Sequence, residues 1–199
     1  APFISAEPVP DGFIVKSHDT ELKCRHVINA AGLAAQSVAN RIKTLSPNFI
    51  PRRFLAKGSY FTMNAPSPFG HLIYPVPNTA SLGIHVTLDM AKQIRFGPDQ
   101  EWVDDINYDI DAQRGAAFYS AIRKFYPNLP DNSLIPAYSG IRPKLQSPAG
   151  PAMDFIISGP REHNVPGLIN LFGMESPGLT SSLRIGQHVC DLLVSKLTN

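Results

Sequence analysis

Leu168-Ile169-Asn170-Leu171-Phe172-Gly173-Met174-Glu175-Ser176-Pro177-Gly178-Leu179-Thr180 is the stretch whose reading decides the fold. It opens as a short apolar run, breaks at Gly173, and passes through polar turn residues into a periodic segment that ends near Leu197. That order predicts a strand, a glycine turn and a helix. Ser176 suits an N-cap, Pro177 suits the first helical position where no backbone N–H is needed, and Gly178 allows a ligand close to the backbone. Leu179, Leu183, Cys190, Leu193 and Leu197 recur at helical spacing and predict one buried face. The first turn then aims unpaired N–H groups and the positive dipole end at one spot, which favours an anion. An ordinary capped helix after a strand would use the same residues.

Working outward, Gly12–Lys16 and Leu22–Ile28 read as strands joined by a polar turn. Ala30-Ala31-Gly32 follows as a small-residue exit, and Leu33–Ile42 carries helical spacing, ended by Pro47. The proline-rich segment 47–51 marks a crossing between domains. Short strand-like runs at Phe54–Ala56, Ser59–Met63, His71–Tyr74 and Ser81–Thr87 predict a mostly antiparallel sheet, whereas Gln93–Tyr108 reads as a covering loop. Asp111 is a candidate N-cap for a helix over Ala112–Phe125, with Ala116, Tyr119, Ile122 and Phe125 or Tyr126 on one face. Ser133–Gln146 and Asp154–Ser158 return as strands, and Gly159–Gly167 as a loop leading back to Leu168. The predicted class is therefore α/β (α+β), with a domain crossing near residue 50 followed by a mostly antiparallel or mixed sheet with covering helices.

Composition narrows the function classes. With 43% hydrophobic and 17% charged residues the chain reads as globular, and a formal charge of +2 without a basic run gives no case for a nucleic-acid partner. No apolar run approaches the roughly 20 residues that span a bilayer, so a cytoplasmic location is expected, or a peripheral one on the inner face of a membrane. Cys24 and Cys190 are expected as free buried thiols. The six histidines show no metal-ligand spacing, so no metal site is expected.

Three side chains stand out chemically. Arg142, between Ile141 and Pro143 on an apolar strand, is costly to bury unless it meets an anion, and its fork suits a carboxylate; an arginine that reaches the surface or pairs with an internal acid is the alternative. Lys57 beside Gly58 is a candidate for a second anion, or a solvated lysine at a turn, and Tyr60 could donate a hydrogen bond. His85 sits in an otherwise apolar strand and is either a satisfied sheet histidine or a general base, with His71 as the next candidate. Glu175 is a candidate cap for neighbouring N–H groups; Tyr74, Tyr138 and Asn170 are candidate pocket liners.

The segment Phe172–Thr180 resembles the C-terminal flavin-contacting segment of FAD-dependent oxidoreductases of the D-amino-acid-oxidase class, in particular the L-2-hydroxyglutarate dehydrogenase/oxidase branch. Asn29-Ala30-Ala31-Gly32 is similar to that family's "NAAG" segment, Lys57–Phe61 to its "KG-x-Y-(Y/F)" strand, Leu82–Thr87 to "LG-(V/I)-H-x-T", and Gly140–Pro143 to "G-(L/I)-R-P". The resemblance implies a Rossmann-like FAD domain, segments 1–50 and 148–199, interleaved with a substrate-binding domain, 51–147. It implies FAD as cofactor, contacted by Ala31, Gly32, Gly173, Met174, Glu175, Ser176, Pro177, Gly178, Leu179 and Thr180. Arg142 would hold the α-carboxylate of an L-2-hydroxy acid, Lys57 the distal carboxylate, and His85 would take the hydroxyl proton, with Tyr60 and His71 binding substrate. A base from outside this stretch of chain is the alternative. Electrons would pass to oxygen or to a membrane quinone pool. No Gly-x-Gly-x-x-Gly spacing occurs, so the chain is expected to be the C-terminal portion of a protein whose N-terminal half grips the ADP moiety, and to be inactive alone. An amine or imino-acid oxidase of the same superfamily and a non-catalytic half are the rival expectations.

Overall fold

The computed structural model describes residues 1–76 and 83–194. In chain order its strands are β1 (Ser5–Val9), β2 (Gly12–Lys16), β3 (Glu21–Cys24), β4 (Val27–Asn29), β5 (Phe54–Met63), β6 (His85–Leu88), β7 (Ile94–Gly97), β8 (Glu101–Val103), β9 (Leu134–Lys144), β10 (Ile156–Ser158) and β11 (Leu168–Phe172). The helices are α1 (Ala35–Ala39), α2 (Gly115–Ile122), α3 (Pro160–His163) and α4 (Ser182–Val194). The chain divides into two compact units, Ala1–Phe54 with Arg142–Asn199, and Leu55–Ile141. The mixture of antiparallel and parallel pairing agrees with the α/β expectation.

In the discontinuous unit, β1, β2 and β3 form an antiparallel meander. Gly12 closes its first turn at φ +140, where a Cβ would lie 2.1 Å from the Cys24 carbonyl oxygen, so only glycine fits. The second sheet places β11 between β10, antiparallel, and β4, parallel. All five residues of β11 are buried, which explains why its sequence is a continuous apolar run instead of an alternating one. Leu168 and Phe172 pack with Ala6, Phe13, Ala39 and Ile42, whereas Ile169 and Leu171 pack with Val189 of α4. Each such burial stabilises the unit by roughly 1.5–3 kcal/mol. His163 ends α3 buried, its Nδ1 accepting the Val165 N–H at 3.1 Å, and burial pushes its pKa down.

In the continuous unit the sheet runs β6-β7-β5-β8, with β9 also paired to β5. Phe61, Val86 and Phe96 present one face to Phe118 and Ile122 of α2, with Phe61 and Phe118 ring centroids 4.6 Å apart. Asp111 caps the turn before α2 by accepting the Gln113 N–H at 2.9 Å.

Several expectations are corrected. The Gln93–Tyr108 segment is not an irregular cover: it holds β7 and β8, whose short lengths and intervening Gly97-Pro98 hid them. Strand β1 was not anticipated, because Pro8 argues against a strand and is tolerated here by a short meander. The Leu22–Ile28 run breaks between β3 and β4, His71–Tyr74 supplies a single bridge at Ile73, and Ser81 and Leu82 lie outside the described residues. Helix α1 stops at Ala39, well short of Pro47. Helix α2 buries Gly115, Phe118 and Ile122, with Ala116 exposed. The last helix starts at Ser182, so Ser176 is no N-cap and Pro177 no first helical residue. It buries Val189, with Ile185, Leu192 and Leu193 packed beside it, while Leu179 and Leu183 are 90% and 89% exposed and Leu197 lies outside the described residues. Two apolar stripes share this helix, and spacing alone does not say which one meets β11. Cys24 is half-buried and Cys190 exposed, correcting the expectation of buried thiols.

Candidate active site

Within the discontinuous unit the site is built at the end of β11. Gly173 turns the chain at φ +72, and a Cβ there would stand 2.8 Å from Leu145 Cγ, so glycine is required on two counts. Residues 174–181 then form a turn in place of the expected helix start. The Gly178 and Ser181 N–H groups are donated to the carbonyls of Glu175 and Pro177, and the hydroxyls of Thr180 and Ser181 also donate to the Pro177 carbonyl, at 3.2 and 3.0 Å. The N–H groups of Met174, Glu175, Ser176, Leu179 and Thr180 meet no acceptor among the described residues. The amide-rich character expected here is therefore present, carried by a turn and not by a helix terminus.

Glu175 does not cap these groups. Its carboxylate, 11% exposed, lies 2.5 Å from Lys144 Nζ and 3.6 Å from Arg142 Nη1. Arg142 and Lys144 alternate along β9 across Pro143, so both reach the same carboxylate. Two cations against one anion leave the cluster with one unmatched positive charge. Arg142 remains 37% exposed, with donors of its fork accessible. Lys144 was not anticipated, although the Arg-Pro-Lys alternation on a strand was a usable signal.

The small-residue exit from β4 is shaped by a buried amide pair. Asn29 Nδ2 donates to Asn170 Oδ1 and to the Ala35 carbonyl, both at 2.8 Å, while Asn29 Oδ1 accepts the Ala31 N–H at 3.3 Å. Asn170 is thus a buried partner of this exit, and its Nδ2 meets no hydrogen-bond partner among the described residues. Gly32 sits at φ +56 with nothing within 4 Å of where a Cβ would be, and Ala30 and Ala31 are exposed. Open space beside Gly32, together with unpaired amides in the Met174–Thr180 turn, fits a large cofactor with anionic and hydrogen-bond-accepting groups.

Within the continuous unit, β5 separates the candidate residues onto two faces. Lys57, Ser59, Phe61 and Met63 are buried, whereas Gly58, Tyr60 and Thr62 are half-buried on the other side. Lys57 is 7% exposed and donates its ammonium to the Asp109 carbonyl. Tyr60 stacks on Tyr138 with centroids 4.5 Å apart and rings 12° from parallel. His85 lies opposite Gly97 and meets the Tyr74 ring edge-to-face at 4.6 Å. His71 is exposed on the bend before Ile73. Arg95, which carries no motif, shares the Tyr60 side of this sheet, its guanidinium 5.7 Å from the Tyr138 ring centroid. Among the described residues no group of acidic, cysteine or histidine side chains could hold a metal ion, and no helix is long and apolar enough to cross a membrane.

A family model described as FAD dependent oxidoreductase (DAO) matches residues 3–192. The mitochondrial L-2-hydroxyglutarate dehydrogenase of Arabidopsis thaliana is 49% identical over 178 residues, covering 83% of this chain and 37% of that protein. A glycerol 3-phosphate dehydrogenase of Caloramator mitchellensis is 29% identical over 183 residues, covering 90% and 36%. Among solved structures, the FAD-bound L-alpha-glycerophosphate oxidase of Mycoplasma pneumoniae superposes with a TM-score of 0.77 at 22% identity, covering 96% of this chain and 49% of that one. The chain thus spans less than half the length of each of these relatives.

Proposed function

The chain belongs to the FAD-dependent oxidoreductase family, and on that premise we propose that it is the part of an FAD enzyme that binds and oxidises an L-2-hydroxy dicarboxylate of the 2-hydroxyglutarate type to the 2-oxo acid. The observation that carries the reading is the cluster of Arg142, Lys144 and Glu175 joined to the amide-rich turn. It offers a surplus cation with a planar fork where an α-carboxylate is to be held. The identity to the Arabidopsis dehydrogenase supports a hydroxy acid as substrate.

In this reading the discontinuous unit, segments 1–50 and 148–199 in outline, contributes to the FAD domain, and 51–147 is the substrate domain. Ala31, Gly32 and the turn Gly173–Thr180 hold the flavin, and FAD supplies the two-electron acceptor when bound. The protein's own groups do the rest. Arg142 binds and orients the α-carboxylate, and His85 accepts the hydroxyl proton as the C2–H bond is lost, since an alcohol is too weak an acid to shed it unaided. Tyr60 and His71 line the substrate region, and Lys57 holds the loop that carries Asp109 against β5. The remaining half of the FAD site is supplied by chain outside these residues. The final acceptor is oxygen or a membrane quinone, with the enzyme cytoplasmic or peripheral on a membrane face.

The test is anaerobic flavin bleaching in the intact enzyme. L-2-hydroxyglutarate is expected to bleach the flavin, with glutamate and glycerol 3-phosphate inert. Arg142→Leu is expected to lower kcat/KM by about 2–5 kcal/mol of transition-state binding. Bleaching by the amine or the phosphate ester, but not by the hydroxy acid, refutes the reading.

A further inference from the structure

We propose that Arg95 receives the distal carboxylate of the substrate and thereby selects dicarboxylates over monocarboxylates; the assignment rests on His85 being the base. The argument starts from register. In the β6–β7 ladder His85 stands opposite Gly97, Val86 opposite Phe96, and Thr87 opposite Arg95. Val86 and Phe96 are core residues, as is Phe61, which pairs with Phe96 from β5. Alternation along each strand therefore puts His85, Thr87, Arg95, Tyr60 and Thr62 together on the opposite face.

On that face His85 and Arg95 are diagonal cross-strand neighbours, a spacing of about 7–8 Å between their backbones. A 2-hydroxy-pentanedioate places its reacting C2 and its far carboxyl carbon three C–C bonds apart, each roughly 1.5 Å. With His85 and Arg95 two positions apart on this one face, one end of the ladder addresses the hydroxyl and the other the far carboxylate. Gly97 keeps the floor between them low. Any side chain there would meet the Tyr60 ring, whose Cδ1 would be 2.8 Å from a Cβ.

The guanidinium is held ready for a ligand. Asp89 Oδ1 accepts the N–H groups of Ala91 and Gln93, both at 2.9 Å, which fixes the carboxylate in the β6–β7 turn. Its Oδ2 then accepts from Arg95 Nη2 at 3.0 Å. On the other side the guanidinium lies 5.7 Å from the Tyr138 ring centroid, and Tyr138 is in turn stacked on Tyr60. The Arg95 side chain is 30% exposed, and with five donors a guanidinium serves Asp89 and a ligand carboxylate together. Lys57 lacks these properties, being buried on the core side of β5 with its ammonium on a carbonyl.

The experiment compares L-2-hydroxyglutarate with L-2-hydroxypentanoate, which keeps the chain length and lacks the far carboxylate, in the intact flavoenzyme. Arg95→Gln is expected to lower kcat/KM for the dicarboxylate by about 10- to 100-fold, the range of one charge-assisted hydrogen-bonded contact, and to leave the monocarboxylate unchanged. The inhibition constant of glutarate should rise in parallel, and Arg95→Lys should recover part of the loss. Equal losses on both acids, or none on either, overturn the assignment, and unchanged flavin content and melting temperature exclude misfolding as the cause. If wild-type enzyme oxidises neither acid, the functional reading itself fails and the role of Arg95 falls with it. Preserved oxidation of both acids with a lost preference in the variant isolates Arg95.

Discussion

Replacing Glu175 by Gln removes the anion shared by Lys144 and Arg142 while keeping its shape. At the 3.6 Å contact to Arg142, an effective dielectric near 20 gives a gross attraction of about 4–5 kcal/mol. The shorter contact to Lys144 adds to it. Desolvation of the carboxylate offsets most of this, and the partial exposure of Arg142 lets water replace part of the lost attraction. The net loss is expected at about 1–3 kcal/mol, below the 3–5 typical of breaking a fully buried pair. Denaturant unfolding of the intact protein should show a lower midpoint at unchanged slope. Lys144→Met combined with Glu175→Leu removes the shorter pair together, leaves the 37% exposed Arg142 to solvent, and should restore stability to within about 1 kcal/mol of wild type. A Gln variant as stable as wild type, or a double variant whose losses simply add, would refute the claim that these charges hold one another.

Three further outcomes follow from other parts of the molecule. His85→Ala is expected to lower kcat on the hydroxy acid by about 10²–10⁴-fold with flavin content unchanged; full activity on steady-state assay removes it as the base. Burial favours neutral His163, so the folded chain takes up its proton below the ordinary 6.5 at which the unfolded chain does. Stability should therefore fall as pH drops through 6.5 and level off below the folded value, and His163→Asn should flatten that part of the denaturation profile. Gly173→Ala forces an alanine to φ +72 against Leu145 and should cost roughly 2–5 kcal/mol in unfolding free energy, read as a lowered melting temperature.

What the sequence makes legible depends on how local the determining interaction is. β11 is read correctly because five consecutive buried residues need no partner to be recognised, and β9 because its motif and length agree. The face of α4 is read only in part: of the expected stripe Leu193 packs beside Val189, whereas Leu183 and Cys190 are exposed and Leu179 precedes the helix, and only the position of β11 selects Ile185, Val189 and Leu192. The turn at Ser176–Ser181 replaces the expected first helical turn because Gly178 gives its N–H to Glu175. As candidates, Arg142 and His85 stand out in the sequence as polar residues in apolar strands, one in each unit. Lys144 is signalled only by its alternation with Arg142, and Arg95 by nothing local, because its significance depends on which face of a sheet is covered.

The parallel pairing of β4 with β11 ties Asn29 to Asn170, which stand 141 positions apart. At synthesis rates of about 5–20 residues per second, the first strand of that pair waits roughly 7–28 s for its neighbour to emerge. Within that interval Leu55–Ile141, whose internal pairings are all nearer in the chain, is synthesised and can pair first. During translation the early meander is thus an unfinished edge with an unpaired strand beside it, and stalling between the two halves of this unit is the moment at which the nascent protein is most open to wrong partners or chaperone capture.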